Sequence, residues 1–239
     1  MIDFHAHILP GIDDGAADLE EARKLLVSQK QQGIETVVAT PHCMMHASIT
    51  DFIKARDAAL ELVKREICED IPKIIPAAEV QLHYGFTKRK HLEQLCIAGT
   101  NCILVELPYD FWNEWIYEEL YQLSAKHKLR PIIAHLDRYI TTTRNLKFVD
   151  KIIKSDALIQ VNAGALLRFS SRSIVKAFLK RDAFTVLGSD CHNTQNRKCE
   201  FLKACEMIKK KFGEDVLNQI LKNGEKVLQN KPIHRDAIE

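Results

Sequence analysis

The chain has 239 residues, of which 46% are hydrophobic and 28% are charged, and its formal net charge is +2. This length is sufficient for a sizeable hydrophobic core, and the weak net charge gives no indication of a nucleic-acid partner. No apolar run reaches the roughly 18 residues of a membrane-spanning helix, and the first residues lack the pattern of a secretory signal. The seven cysteines are scattered without a C-x-x-C pair, which favours free thiols in a reducing compartment. We therefore expect a cytoplasmic protein without direct membrane insertion.

Short apolar segments alternate with longer amphipathic segments along the chain. The short segments, which predict buried parallel strands, are Ile2–Phe4, Thr36–Ala39, Ile74–Ala78, Cys102–Val105, Pro131–Ala134, Leu158–Val161 and Phe184–Leu187. The segments with helical periodicity are Asp18–Gln32, Phe52–Ile67, Glu114–Lys126, Phe148–Ile153, Ser171–Leu179 and Phe201–Phe212. The first of these helices opens with Asp18 and Glu21 as a capping-box-like pair and stops at Gly33. This alternation predicts a parallel sheet with crossover helices.

Polar residues recur where the predicted strands end. The series is His5, His42, Glu79, Glu106, His135, Asn162 and Asp190, with intervals of 37, 37, 27, 29, 27 and 28 residues. Each interval is close to one strand–helix unit, so seven units predict a single α/β barrel domain over residues 1–239, one unit short of the eight-unit form. An open doubly wound sheet is the alternative, but it would not bring all seven strand ends to one rim.

The rim of this barrel is expected to carry metal ligands. His5 and His7 are two residues apart on a strand, so their side chains point to the same side. With the other candidates, the proposed ligand set is His5, His7, Asp14, His42, Glu79, Glu106, His135, Asp190 and His192. Nine nitrogen and oxygen ligands are too many for one ion and fit two or three, and the mixture suits Mn²⁺, Fe²⁺, Co²⁺, Zn²⁺ or Mg²⁺ rather than Cu(I). Taken singly, each residue has an alternative interpretation as an ion-pair partner, a helix cap or a turn residue.

Two arginines follow predicted ligands and are candidates for catalytic phosphate contacts. Arg138 comes three residues after His135, and Arg197 comes five residues after His192. A guanidinium beside a metal cluster is suited to clamp a phosphate. The alternative for each is a salt bridge to Asp137 or another loop carboxylate.

A pattern of a different kind overlaps the last predicted ligands. Cys191 and Arg197 have the C-x5-R spacing of the cysteine phosphatases. That chemistry needs a loop of backbone N–H groups around the phosphate, usually rich in glycine, and a thiolate nucleophile. No glycine lies between Cys191 and Arg197, and both neighbours of Cys191 are proposed metal ligands. The metal-centre interpretation is therefore preferred.

These motifs resemble the polymerase-and-histidinol-phosphatase (PHP) superfamily, and more narrowly its bacterial manganese-dependent tyrosine phosphatases of capsule and exopolysaccharide regulation. The matching stretches, in order, are MIDFHAHILPGIDDGA, GIETVVATPHC, AAEVQL, ILVELP, PIIAHLDRY, IQVNAGAL and VLGSDCHN. The chain departs from the family at Asp137, where Glu is common, and in the unmatched loop Met44-Met45-His46, which leaves substrate preference open.

The resemblance implies a distorted (β/α)7 barrel of the PHP type with a trinuclear cluster, preferably of Mn²⁺, held by the nine residues. It further implies a phosphate contact from Arg138 and hydrolysis of phosphotyrosine on a protein substrate, expected to be the tail of a bacterial tyrosine kinase. The aromatic residues Tyr109, Phe111, Trp112 and Trp115 are candidates to flank the phenyl ring, or are ordinary packing residues.

Three other functions are alternatives to this one. A histidinol-phosphate or other small-molecule phosphatase on the same fold is the closest alternative. A non-catalytic barrel is disfavoured because every ligand position is intact. A nuclease or polymerase-associated domain would favour a basic groove, for which the charge balance gives no signal. The sequence does not determine the oligomeric state.

Overall fold

The computed structural model describes residues 1–109, 113–140 and 146–233. Its strands are β1 (Ile2–Ala6), β2 (Thr36–Ala39), β3 (His42–Cys43), β4 (Lys73–Pro76), β5 (Glu79–Gln81), β6 (Cys102–Glu106), β7 (Arg130–Ile133), β8 (Leu158–Asn162) and β9 (Val186–Gly188). Its helices are α1 (Leu19–Gln31), α2 (Ile49–Glu66), α3 (Glu114–Ala125), α4 (Leu146–Lys154), α5 (Ala163–Leu167), α6 (Arg172–Lys180), α7 (Phe201–Phe212) and α8 (Glu214–Leu228).

The strands pair in parallel and occupy seven positions around a barrel. Strands β1, β2 and β4 pair in that order, and β3, β5, β6, β7, β8 and β9 follow one another in a second sheet. Two of the seven positions are each occupied by two consecutive short strands, β2 followed by β3 and β4 followed by β5. In both cases two residues separate the two strands. Pro41 lies in the first of these gaps and lacks the N–H that an unbroken ladder requires.

The barrel closes between its first and last strands. Ala6 pairs in parallel with Cys191, just beyond β9. Two backbone hydrogen bonds join the same segments, from Asp190 N to His5 O at 2.7 Å and from His7 N to Cys191 O at 2.9 Å. The predicted distorted seven-unit barrel is therefore confirmed, and the open doubly wound sheet is not formed.

The core has two layers, because the strands bury both faces. Inside the barrel, residues such as Phe4, Val38, Leu104 and Ile132 pack on one another. Outside it, the opposite faces of the strands pack against the helices. Helix α1 illustrates the outer layer: Asp18 caps it by accepting a hydrogen bond from Glu21 N at 2.9 Å, as its sequence predicts.

Helix α8 was not expected from the sequence. Its interior contains Asn223 and Gly224, which have low helix propensity. Packing overrides this preference, because Gly224 lies against the end of the barrel interior, where a Cβ atom would lie 2.8 Å from Phe4 Cε2. Val227, one turn further on, is also buried in the interior layer. The helix therefore closes the end of the barrel opposite the carboxyl ends of the strands.

Candidate metal centre

All nine predicted ligands lie together at the carboxyl ends of the strands. His5 comes from β1 and His7 from the residue after Ala6, and the alternation of the strand turns both imidazoles the same way. Gly188 of β9 makes room for the first of them, since a Cβ atom there would lie 2.6 Å from His5 Cβ. The remaining ligands come from the ends of β3, β5, β6, β7 and β9 and, for Asp14, from the loop before α1.

Glu79 lies at the centre of the group. Its Oε2 is 3.0 Å from His5 Nε2, 3.2 Å from His7 Nε2 and 3.1 Å from His42 Nδ1. Its Oε1 is 2.9 Å from His135 Nε2. One buried carboxylate thus contacts four imidazoles, and a carboxylate in such a position can bridge two cations.

Two further carboxylates extend the group on the side of His192. Asp190 Oδ1 lies 3.6 Å from Nε2 of both His5 and His7. Asp14 Oδ1 lies 3.4 Å from His192 Nε2. Within the described residues, three overlapping sets bring their donor atoms within 4.8 Å of one another: His7, Asp14, His42 and His192; His5, His7 and Asp190; and His42, Glu79 and Glu106.

Three of the imidazoles are held by hydrogen bonds at Nδ1, on the side away from the cluster. His5 Nδ1 lies 3.1 Å from Gln160 Oε1, His7 Nδ1 lies 2.6 Å from Asp13 Oδ2, and His192 Nδ1 lies 3.0 Å from a backbone carbonyl. Acceptors at Nδ1 place the proton there and leave Nε2 free for a metal ion. Asp13 and Gln160 were missed as site residues. Asp13 could have been found from its position next to the predicted ligand Asp14. Gln160 could have been found because it is a polar residue within an otherwise apolar predicted strand.

The ionisation of the site also reflects this crowding. Burial lowers the pKa of His7, but hydrogen bonds to Asp13 and Glu79 outweigh that effect and raise the pKa to about 10. Burial raises the pKa of the Glu106 carboxyl to about 7, and the Glu79 charge acts in the same direction. Without a cation these groups hold protons, so protons and divalent ions compete for the same atoms.

The donor set fits a metal cluster. Among the described residues, His192 Nε2 is buried and has no hydrogen-bond partner. Nε2 atoms of His5 and His7 face each other at 3.0 Å, an arrangement that a shared cation would stabilise. Every donor is an imidazole nitrogen or a carboxylate oxygen, the ligand types that suit first-row divalent ions.

Both candidate arginines lie at the edge of this cluster. The Arg138 guanidinium contacts Asp190 Oδ2, and Arg197 reaches Asp190 Oδ1 at 3.0 Å and Asp14 Oδ2 at 3.3 Å. Asp137 instead accepts a hydrogen bond from the backbone N–H of Asn162 at 2.8 Å. Each arginine therefore forms a salt bridge to a loop carboxylate, which is the alternative that the sequence left open. Each also lies beside the metal ligands, where it could contact a phosphate bound to the cluster.

A family model described as "Capsular polysaccharide synthesis, CpsB/CapC" matches residues 1–229. The chain belongs to the CpsB/CapC family. Among curated relatives, the tyrosine-protein phosphatase YwqE of Bacillus subtilis is 31% identical over 98% of this chain and 94% of its own length. The tyrosine-protein phosphatase CpsB of Streptococcus pneumoniae is 27% identical over 98% of this chain and 100% of its own length.

Solved structures agree with this assignment. A crystal structure from a study of YwqE and CpsB, described as "unique metal-dependent tyrosine phosphatases", has a TM-score of 0.85 and 26% identity. The match covers 99% of this chain and 97% of that one. The phosphotriesterase homology protein of Escherichia coli has a TM-score of 0.59 at 12% identity, covering 95% and 98% of the two chains, and this likeness concerns the fold alone.

The aromatic segment of this CpsB/CapC chain divides between two environments. Tyr109 is 66% exposed and its ring lies 5.2 Å from that of Tyr139. Trp115 is partly buried against the outer core, and its ring lies 6.3 Å from that of Tyr84, an exposed residue that the sequence did not single out. Phe111 and Trp112 lie outside the described residues.

Cys191 has the opposite properties to a nucleophilic cysteine. It is fully buried, and burial raises the pKa of its thiol well above the usual range. Its Sγ lies 3.6 Å from Gln29 Nε2, behind the ligands rather than among them. A reactive thiolate needs an accessible, electropositive environment. The C-x5-R spacing in this CpsB/CapC chain is therefore coincidental.

Two further observations lie outside the site. All seven cysteines are free. In the part of the chain that the structure describes, no helix combines the length and apolar character needed to cross a membrane.

Proposed function

We propose that this chain is a metal-dependent phosphomonoesterase that hydrolyses phosphotyrosine on a protein. The observation that carries the proposal is the convergence of nine imidazole and carboxylate side chains, with Glu79 at the centre, beside two guanidiniums. The proposal assigns two or three ions, preferably Mn²⁺, to these ligands. Support also comes from the family and from relatives named as tyrosine-protein phosphatases.

The proposed chemistry divides between the ions and the protein. When bound, such ions lower the pKa of water and neutralise charge on phosphoryl oxygens. Arg138 and Arg197, at the cluster edge, donate hydrogen bonds to the non-bridging phosphate oxygens, over which the charge of the transferring phosphoryl group is spread in the transition state. Asp13 and Gln160 keep the imidazoles oriented throughout. A tyrosine phenolate has a parent pKa of about 10, so this leaving group needs less help from a general acid than an alkoxide does.

The physiological substrate that we propose is the tail of a bacterial tyrosine kinase that drives polysaccharide export. The description of the family as one of capsular polysaccharide synthesis supports this choice. Free cysteines suit a reducing compartment, so we place the reaction in the cytoplasm. There the enzyme would reach a membrane-bound kinase by binding its tail.

The test compares kcat/KM for a phosphotyrosine peptide, the matched phosphoserine peptide and histidinol phosphate with the metal-loaded enzyme. This ratio measures differential binding of transition states. We expect the phosphotyrosine peptide to be preferred. Preference for histidinol phosphate would assign the chain to the small-molecule alternative and leave the fold and the ligand cluster unchanged. Metal content, measured on the same samples by elemental analysis, gives the identity and number of the ions.

A further inference from the structure

A cleft of about 490 Å³ opens beside the metal centre. Its lining includes Tyr109, Arg138, Arg168, Ser170 and Ile174. Arg138 connects the cleft to the cluster, because the same side chain contacts Asp190. A chain segment next to a phosphate bound at the cluster can therefore lie in this cleft.

Some charged side chains of the cleft have partners in the described part of the chain, and one does not. Arg138 is paired with Asp190, and the Asp137 carboxylate is held by the backbone N–H of Asn162. Arg168 is exposed, and its guanidinium forms no ion pair with any residue that the structure describes. It is available to bind an anionic group.

The positive charge continues from the cleft along α6. Arg172, Lys176 and Lys180 are spaced four residues apart, so they lie on one side of the helix, and no acidic residue interrupts them. Arg172 lies over the ring of Phe169, with its guanidinium carbon 5.0 Å from the centroid. Lys176 and Lys180 are exposed and have no ion-pair partner among the described residues. We call Arg168, Arg172, Lys176 and Lys180 the basic track.

We propose that the cleft and the basic track bind an acidic segment next to the phosphotyrosine of the protein substrate, with Arg168 as a specificity-determining residue. This inference rests on the proposed function. The nine residues of α6, Arg172 to Lys180, are separated by eight helical steps that span about 12 Å, which is the length of roughly four residues of an extended peptide.

An anionic membrane surface could also meet exposed cations of this kind. A peptide is the better fit, because the track begins in a concave cleft that shares Arg138 with the metal centre. A peptide already anchored by its phosphate reaches Arg168 without a separate binding event, whereas a bilayer surface is too flat to enter the cleft.

The experiment uses the full chain loaded with Mn²⁺ and three phosphotyrosine peptides that differ only in four flanking residues, which are acidic, neutral or basic. p-Nitrophenyl phosphate, which has no flanking segment, reports the chemistry alone. For the wild type, we expect kcat/KM to follow the order acidic, neutral, basic, and the preference to weaken as salt screens the charges. An exposed ion pair contributes little, about two- to fivefold, so two cations together predict a preference of about four- to 25-fold.

The decisive variant is Arg168→Glu/Lys176→Glu. We expect it to lose or invert the preference for the acidic peptide while the rate with p-nitrophenyl phosphate stays unchanged. The matched control is Lys210→Glu/Lys211→Glu, which changes the net charge equally at two exposed lysines near the end of α7. This control should keep the wild-type preference.

Three results would overturn the inference. One is a wild type that does not discriminate among the three peptides. Another is an equal loss of preference in both double variants, which would assign the effect to net charge. The third is loss of binding to phosphatidylserine vesicles in the track variant with no change in peptide preference, which would make the track a membrane surface. If the metal-loaded wild type hydrolyses no phosphotyrosine substrate at all, the proposed function fails and this inference fails with it.

Discussion

The metal centre and the rim around it are built in opposite ways. Glu79 is 1% exposed and contacts four imidazoles, two of which are also oriented from behind by Gln160 and Asp13. On the rim, Phe169 is 83% exposed and Tyr84 is 74% exposed. The barrel thus holds the ligand cluster in place, while loops at the rim can vary without disturbing it, and we expect these loops to select the substrate. Changes in the centre should therefore alter metal content and rate together, and changes on the rim should alter selectivity.

Removing the ions should have the largest effect. We expect EDTA to abolish phosphatase activity, a loss on the order of a thousandfold or more, because the ions supply several kcal/mol of stabilisation. Adding Mn²⁺ back should restore the rate in step with metal content measured by elemental analysis. A metal-free sample that kept its full rate would contradict the assignment of the cluster as the catalytic metal centre.

Replacing a central ligand should follow in size. Glu79→Gln is expected to lower both bound metal and kcat, because a neutral amide is a poorer ligand and a poorer bridge. Glu106→Gln should show the same coupled loss to a smaller degree, since Glu106 lies 3.7 Å from His135 and is 15% exposed. Elemental analysis and steady-state kinetics on both variants give the comparison, and full metal occupancy in both would contradict the ligand assignment.

Arg138 should separate rate from metal content. In Arg138→Ala the ligands remain, but one charge-assisted contact to the transition state is lost, worth about 2–4 kcal/mol. The expected decrease in kcat/KM is about 30- to 1000-fold with metal occupancy retained. Arg138→Lys is the control that keeps the charge and loses the planar fork. If Arg138→Ala lost its metal as well, the residue would act through Asp190 instead of on the phosphate.

Asp13 tests whether residues behind the ligands contribute. Asp13→Asn weakens the acceptor at His7 Nδ1 and should reduce metal affinity by about 10- to 100-fold, with activity recovered at high Mn²⁺. Titration of the metal-free protein with Mn²⁺, followed by activity, measures this shift. Asp18→Asn, which changes an exposed carboxylate at the start of α1, should leave the titration unchanged. An unaltered affinity in Asp13→Asn would show that the barrel alone orients His7.

The smallest effect is expected at Cys191. Cys191→Ser should retain most of the wild-type kcat/KM, since the thiol is buried behind the ligands and lies near Gln29. The free energy of unfolding, measured by urea denaturation, is the accompanying control for loss of packing. An inactive but folded and metal-loaded Cys191→Ser enzyme would restore the cysteine mechanism.

Much of this design could be predicted from local patterns. Seven apolar strands with polar residues at their ends gave the barrel and the positions of Glu79 and Asp190, because strand and helix periods are properties of neighbouring residues. Even the shared direction of His5 and His7 follows from the two-residue repeat of a strand. The boundaries of the strands follow less closely from local patterns: the sequence predicts the last strand at Phe184–Leu187, and it lies at Val186–Gly188.

Only the tertiary structure decided which distant residues meet. Gln160 approaches His5 from 155 residues away, and nothing in the local sequence of either residue encodes that contact. Helix α8 forms despite the low helix propensity of Gly224, because the ring of Phe4 leaves no room for a Cβ atom at that position. Likewise, the salt bridge of Arg138 to Asp190, rather than to its neighbour Asp137, depends on barrel closure. Local periodicity specifies the elements and the direction of their side chains, whereas packing between elements specifies their partners.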